Sequence, residues 1–105
     1  MSTSWLYEQL SACSNVTTDG GNPVLGVSFS GKTEYVYCPN SSEYIISADV
    51  VQKAKDLGAT IIAYGSWCGA SYDASQYGKK LDVSIMPYRS FFAYLKQKGV
   101  NCPKQ

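Results

Sequence analysis

Histidine is absent from this chain of 105 residues, and its four cysteines include no C-x-x-C pair. Structural zinc sites are built from clustered cysteine and histidine, so the sequence argues against such a site. Serine and cysteine hydrolases usually take their catalytic base from histidine, which excludes the common form of that class. Cys68, beside Trp67, is a candidate exposed thiol, but no neighbouring cation would activate it. The cysteines are therefore expected to be reduced and mostly buried.

The sequence also lacks a long apolar run. Its longest runs fall well short of the about 20 residues that span a membrane, and residues 1–5 lack the basic region and apolar core of a signal peptide. We therefore expect a cytoplasmic location and no membrane partner. Apolar residues make up 45% of the chain and charged residues 16%, which is typical of a folded domain. One domain over residues 1–105 is expected, with flexible ends at about 1–3 and 100–105.

Charge is scarce but unevenly placed along the chain. The net charge is +1, yet residues 1–70 hold three lysines against six acids, and residues 71–105 hold six cations against two acids. A dipolar domain of this kind can present a basic face to phosphate groups while staying near neutral overall. The alternative is that these lysines merely occupy the C-terminal ends of helices, where they compensate the helix dipole.

Hydrophobic spacing and turn residues predict four helices and five strands. The helices are expected at about 4–13, 48–57, 72–81 and 88–99, and the strands at about 14–18, 23–29, 33–38, 60–64 and 83–86. A short extended piece at 44–46 precedes the second helix, and a turn at 30–32 makes the second and third strands an antiparallel hairpin. The order α-β-β-β-α-β-α-β-α predicts an α/β fold in which a mixed sheet has helices on both faces.

This order of elements resembles the restriction-endonuclease-like nuclease core, and short motifs resemble Mrr-like restriction endonuclease domains. Three motifs carry the likeness in the N-terminal half: Tyr7-Glu8-x-Leu10 resembles Phe-Glu-x-Leu, Asp19-Gly20-Gly21 resembles Asp-Gly-Gly, and Val36-Tyr37-Cys38 resembles Val-Gln-Cys. The C-terminal half contributes Leu57-Gly58-Ala59, Ser71-x-x-Ala74, Tyr77 and Lys79-Lys80-Leu81. The resemblance covers almost the whole chain and implies the PD-(D/E)XK fold of that family.

The resemblance also locates the positions of the family's active site. Active relatives place an Asp near the start of the second strand, a Glu or Gln on the third, and a Lys two residues later; the carboxylate binds magnesium. The Asp position falls on Pro23, or on Asn22 with a shift of one residue, the Gln position on Tyr37 and the Lys position on Pro39. None of these residues supplies the expected group, so the resemblance implies a degenerate site that holds no metal or cofactor. The acidic residues that remain near the site positions are Glu8 and Asp19.

One alternative keeps a magnesium nuclease with relocated ligands from Glu8, Asp19 and Glu34. Side chains alternate along a strand, however, so Glu34 is expected to point away from the face that carries Tyr35 and Tyr37. This geometry makes the alternative the least favoured of three hypotheses.

The favoured hypothesis is a non-catalytic nuclease-fold protein that binds nucleic acid. Its predicted binding residues are Lys79, Lys80, Arg89 and the face of Tyr35 and Tyr37, on which unpaired bases can stack. The second hypothesis is a small homo-oligomer, such as a homodimer, or a ligand-binding domain. It uses the same tyrosine-rich face as a protein interface or pocket, because aromatic residues are enriched at interfaces.

Overall fold

The computed structural model describes residues 3–40, 42–65 and 69–103 of the chain. Its helices are α1 (Thr3–Ser11), α2 (Ala48–Asp56), α3 (Tyr72–Leu81) and α4 (Tyr88–Gln97). Its strands are β1 (Thr17–Thr18), β2 (Val24–Phe29), β3 (Lys32–Tyr37), β4 (Ile45–Ile46), β5 (Ile61–Tyr64), β6 (Gly69–Ala70) and β7 (Ser84–Pro87). The order is the predicted one with two strands of two residues, β4 and β6, added to it.

The main sheet has five strands in the order β1-β2-β3-β5-β7. The first three strands are antiparallel, whereas β3, β5 and β7 are parallel, so the sheet is mixed, as predicted. The β2–β3 hairpin closes through Ser30 and Gly31, whose φ values of 50° and 79° suit a tight two-residue turn. The small strands β4 and β6 pair in parallel as a separate sheet.

Helices cover both faces of the main sheet. On one face α1 and α4 pack against alternate residues of β2, including Leu25, Val27 and Phe29. On the other face, apolar side chains of α2 and α3 pack around Tyr37 and Ile62. The α/β class and the mixed sheet predicted from the sequence are therefore confirmed. None of the helices in the described ranges combines the length and the apolar composition of a membrane-spanning segment.

Helix α3 shows why its ends could be predicted. Ser71 precedes the helix and its Oγ accepts a hydrogen bond of 3.1 Å from the amide of Ala74, which satisfies one free amide of the first turn. Asp82 ends the helix in the left-handed conformation. Helix α1, by contrast, ends at Ser11 rather than at residue 13, because the following residues turn away to pair with the C-terminal tail.

A disulfide joins Cys13 to Cys102, 89 residues apart, and corrects the prediction of reduced thiols for these two cysteines. Residues 100–102, expected within a flexible end, are also bonded to this segment: Ser14 and Asn101 exchange two backbone hydrogen bonds of 2.8 and 3.2 Å. Disulfides are rare in the reducing cytosol, so the cytoplasmic location stays a prediction that this bond weighs against. Cys38 is a buried thiol, and burial raises its pKa to about 11. Cys68 lies outside the described residues.

Candidate functional site

The carboxyl ends of the parallel strands β3, β5 and β7 lie side by side along one end of the main sheet. We call this row of strand ends the strand-end edge. Ligands of open α/β sheets commonly bind outside the carboxyl ends of the strands. The last residue of β3 is Tyr37, the position at which the resemblance to nucleases places a metal-binding side chain. The candidate site is therefore built outward from Tyr37.

Tyr37, Glu43 and Lys53 form a bonded group that we call the Tyr37 cluster. The Tyr37 hydroxyl donates to Glu43 Oε1 at 2.5 Å, and the Asn40 amide donates to the same oxygen at 3.1 Å. Lys53 Nζ lies 3.2 Å from Glu43 Oε2 and 5.5 Å from the centroid of the Tyr37 ring. The loop after β3 thus folds back so that its carboxylate meets a lysine of α2 over the end of the strand.

Burial and hydrogen bonding set the charge states in this cluster. Burial raises the pKa of Tyr37, and its bond to Glu43 raises it further. Burial alone would raise the pKa of Glu43, but bonds from Tyr37, the Asn40 amide and Lys53 outweigh it and lower that pKa. Contacts with Tyr37 and Glu43 raise the pKa of Lys53. At neutral pH the cluster therefore holds a neutral phenol, a carboxylate and an ammonium group that are bonded to one another.

The other positions at which the resemblance to nucleases places site residues are Asn22, Pro23 and Pro39. Pro39 is fully buried, and Pro23 is exposed at the start of β2. The side-chain oxygen of Asn22 accepts a hydrogen bond of 2.8 Å from Thr3 Oγ1, which ties the turn before β2 to the start of α1. These three residues present neither a carboxylate nor an amine at the strand ends.

Asp19 fixes the turn that precedes β2. Its Oδ1 accepts hydrogen bonds of 2.8 Å from the amides of Gly21 and Gly26, and these bonds lower the pKa of Asp19. Gly26 has no room for a side chain, because a Cβ there would lie 2.5 Å from Asp19 Oδ2. The carboxylate is thus already bonded to the backbone of its own turn.

Glu8 is exposed on α1 and lines a groove of about 430 Å³ together with Tyr7 and residues 20–22. Asp19 is not among the residues that line this groove, so the two carboxylates to which the resemblance points do not share it. Among residues 3–40, 42–65 and 69–103, no group of three His, Cys, Asp or Glu side chains is arranged to hold a metal ion.

Glu34 points to the opposite face of the sheet from the Tyr37 cluster. Its Oε2 lies 3.5 Å from the hydroxyl of Tyr94 on α4, whereas Tyr37 lies among residues of α2 and α3. Strand alternation predicts this arrangement. Glu34 and Glu43 are the acids nearest to Tyr37 in the sequence, and their side chains therefore lie on opposite faces of the sheet.

The residues that the sequence nominated for nucleic-acid binding do not form one surface. Lys79 and Lys80 are exposed in the last turn of α3, whereas Arg89 is in the first turn of α4, on the other face of the sheet. Tyr35 is 44% exposed, but Tyr37 is only 1% exposed and belongs to the core. The two tyrosines lie on the same face of β3, but only Tyr35 is accessible to solvent.

A different grouping of cations emerges from the topology. Helices α2, α3 and α4 end where the parallel strands begin, and the β2–β3 turn lies there too, since Ser30 Oγ donates to the carbonyl of Lys98 at 2.6 Å. We call this the basic edge: it carries six exposed lysines, Lys32, Lys55, Lys79, Lys80, Lys96 and Lys98. In the described part of the chain, three acids lie among them, Glu34, Asp56 and Asp82. At the strand-end edge, Asp49 and Asp73 occupy the first turns of α2 and α3.

Tyr94 stands between two lysines of the basic edge. The Nζ atoms of Lys32 and Lys98 lie 5.6 and 5.7 Å from the centroid of its ring, close enough for cation–π attraction. The contact with the Tyr94 hydroxyl raises the pKa of Lys32. The ring thus holds two positive charges near each other at the corner where α4 ends.

Glu43 and Lys53 are site residues that the sequence did not nominate. They are ten positions apart, one in a loop and one on a helix, and no motif links them. The sequence hinted at this site only through Glu43, an acidic residue six positions after Tyr37 at the end of β3. No family model, no curated protein and no solved structure matches this chain.

Proposed function

We propose that this chain is a non-catalytic nucleic-acid-binding domain with a restriction-endonuclease-like core. The observation that carries the proposal is the basic edge, where six lysines outnumber three acids. The order of elements and the hairpin next to a parallel strand pair support the core assignment. A non-catalytic role is supported by what fills the end of β3, namely the bonded Tyr37 cluster and the buried Pro39.

Lysines at such an edge contact phosphate groups rather than bases. Point charges on flexible stems neutralise phosphates and release counterions, which gives salt-sensitive binding with little sequence preference. The three helix ends also present carbonyl oxygens, so part of the lysine charge compensates the helix dipoles. We therefore expect modest affinity, with Kd on the order of 1–100 µM at physiological salt. Arg89 lies away from this edge and is not part of the proposed surface.

The test is fluorescence anisotropy of short labelled duplex and single-stranded DNA at low and at physiological salt. Wild type should bind, and binding should weaken as salt rises. Lys79→Glu should reduce affinity and lower the slope of log K against log salt by about 1. Arg89→Glu is the matched control, since it changes the net charge equally but lies outside the basic edge. Equal losses in both variants, or no binding at low salt, would refute the proposed surface.

A second candidate function is self-association through an exposed apolar patch. Tyr44, Ile45 and Tyr72 are 60, 59 and 72% exposed and lie on or beside the small β4–β6 sheet. Exposed aromatic and aliphatic groups of this kind mark interfaces more often than charged surfaces do. Sedimentation velocity of wild type and Tyr72→Ser over a concentration series tests it: a dimer that the substitution weakens supports this function, and a wild-type monomer at all concentrations rules it out.

A further inference from the structure

A groove of about 490 Å³ lies between α4 and the C-terminal residues 100–103. One wall is a single stripe of the helix: Arg89, Phe92, Ala93 and Lys96 recur at the spacing that places them on one face. The volume falls in the range of about 300–1,000 Å³ that is usual for small-molecule sites. The groove shares no residue with the Tyr37 cluster.

The groove combines an apolar floor with positive charge at both ends. Phe92 and Val100 are buried beneath it, and Ala93 is exposed between the two cations. Arg89 and Lys96 are seven residues apart, or about 10 Å along a helix. Within the described part of the chain, neither cation has a carboxylate within 4 Å. Both charges are thus available to a ligand that enters the groove.

The second wall is held in place by several bonds. Cys102 is tied to Cys13 by the disulfide, and Asn101 exchanges backbone hydrogen bonds with Ser14. The side-chain amide of Asn15 donates to the carbonyl of Gly99 at 3.1 Å. A wall fixed in this way keeps the groove open without a ligand, which lowers the ordering cost of binding.

From these features we infer that the groove binds a small aromatic anion. A carboxylate would form paired hydrogen bonds with the Arg89 guanidinium, whose planar fork fits two oxygens. The ring would lie over Ala93 and the apolar floor, and the Lys96 ammonium would donate hydrogen bonds to a second negative or polar group of the ligand at the far end. The groove shares Lys96 with the basic edge, but Arg89 and the apolar floor lie outside that edge, and Lys79 and Lys80 lie on the other face of the sheet. The substitutions at Arg89 and Lys79 therefore distinguish this function from nucleic-acid binding.

The test is titration of the full chain with 2-naphthoate, followed by ¹H–¹⁵N correlation spectra. Saturable shifts should concentrate in residues 89–96 and 100–102. Arg89→Ala should weaken binding about tenfold, the loss expected for a charge-assisted hydrogen bond. Ala93→Trp should abolish binding by filling the groove. Lys79→Ala, which removes the same charge elsewhere, should bind as wild type does.

Three outcomes would overturn the inference: no saturable shift at millimolar naphthoate, shifts centred outside the groove, or equal effects of Arg89→Ala and Lys79→Ala. Arg89 is exposed, so its substitution leaves the core intact and keeps the test valid if Ala93→Trp fails to fold. Lys79→Glu should weaken DNA binding while naphthoate binding is retained, so the two proposals fail independently.

Discussion

The hydroxyl of Tyr37 donates to the carboxylate of Glu43 at 2.5 Å, directly at the end of the central strand β3. The bond satisfies the buried Tyr37 hydroxyl, and the Lys53 ammonium neutralises the negative charge of Glu43. The group ties Asn40 and Glu43 to Lys53 of α2.

Replacing Tyr37 by Phe removes the hydroxyl while leaving the ring in the core. We expect a loss of about 1–2 kcal/mol in the free energy of unfolding, because Glu43 loses a donor in a partly buried place. Urea denaturation measures it. Tyr35→Phe is the matched control, since Tyr35 is 44% exposed and its change should stay within about 0.5 kcal/mol. Equal losses in the two variants would contradict the proposed role of the bond.

Acid should destabilise the protein partly through Glu43. Its folded pKa lies below the ordinary value of 4.5, so the unfolded chain binds the proton more readily. This contribution is fully present above about pH 5 and is lost as pH falls through the lowered folded pKa. Urea unfolding at a series of pH values should show a shallower acid limb in Glu43→Gln than in wild type. Superimposable limbs would show that Glu43 contributes nothing to it.

Gly26→Ala should disrupt the Asp19 turn. The new Cβ would lie 2.5 Å from Asp19 Oδ2 and 2.9 Å from its Cγ, so the carboxylate must leave its two backbone donors. A loss of about 1–3 kcal/mol in unfolding free energy is expected. Gly69→Ala is the control, because a Cβ there meets no atom of the described residues within 4 Å. A Gly26→Ala protein as stable as the control would mean that Asp19 does not need this geometry.

The disulfide should add measurable stability. Closing a loop of this length restricts the unfolded chain, and loss of the bond typically costs about 2–4 kcal/mol. Urea unfolding with and without reductant should show that difference in wild type and none in the Cys13→Ser/Cys102→Ser variant. Alkylation of unreduced, unfolded protein followed by mass spectrometry checks the pairing: labelling of all four cysteines would disprove it.

Local patterns predicted most of the fold but little of the candidate site. The N-cap Ser71 and the pattern of residues 72–81 are local signals for α3, so both ends of this helix were predicted correctly. Glu43 and Lys53 meet only because a loop returns over the end of β3, which no local pattern encodes. The pairing of Cys13 with Cys102 likewise depends on where the chain ends fold. Tyr35 and Tyr37 were correctly placed on one strand face, but the cover that α2 gives only to Tyr37 depends on tertiary packing.

The basic edge illustrates the same limit. The sequence showed cations concentrated after residue 70, but Lys32 and Lys55 join the cluster only because three helices and a hairpin turn finish at one edge. Arg89 leaves it for the same reason, since its helix begins at the other edge. Charge counted along the chain differs from charge arranged in space.

The bond between Cys13 and Cys102 makes a covalent ring of nearly the whole domain. A protease that cuts once at any peptide bond inside that ring opens the loop without releasing a fragment, because both pieces stay linked through sulfur. The nicked protein would run as one species on a non-reducing gel and as two after reduction. A single break in an exposed connection would therefore leave the two pieces at high effective concentration for refolding.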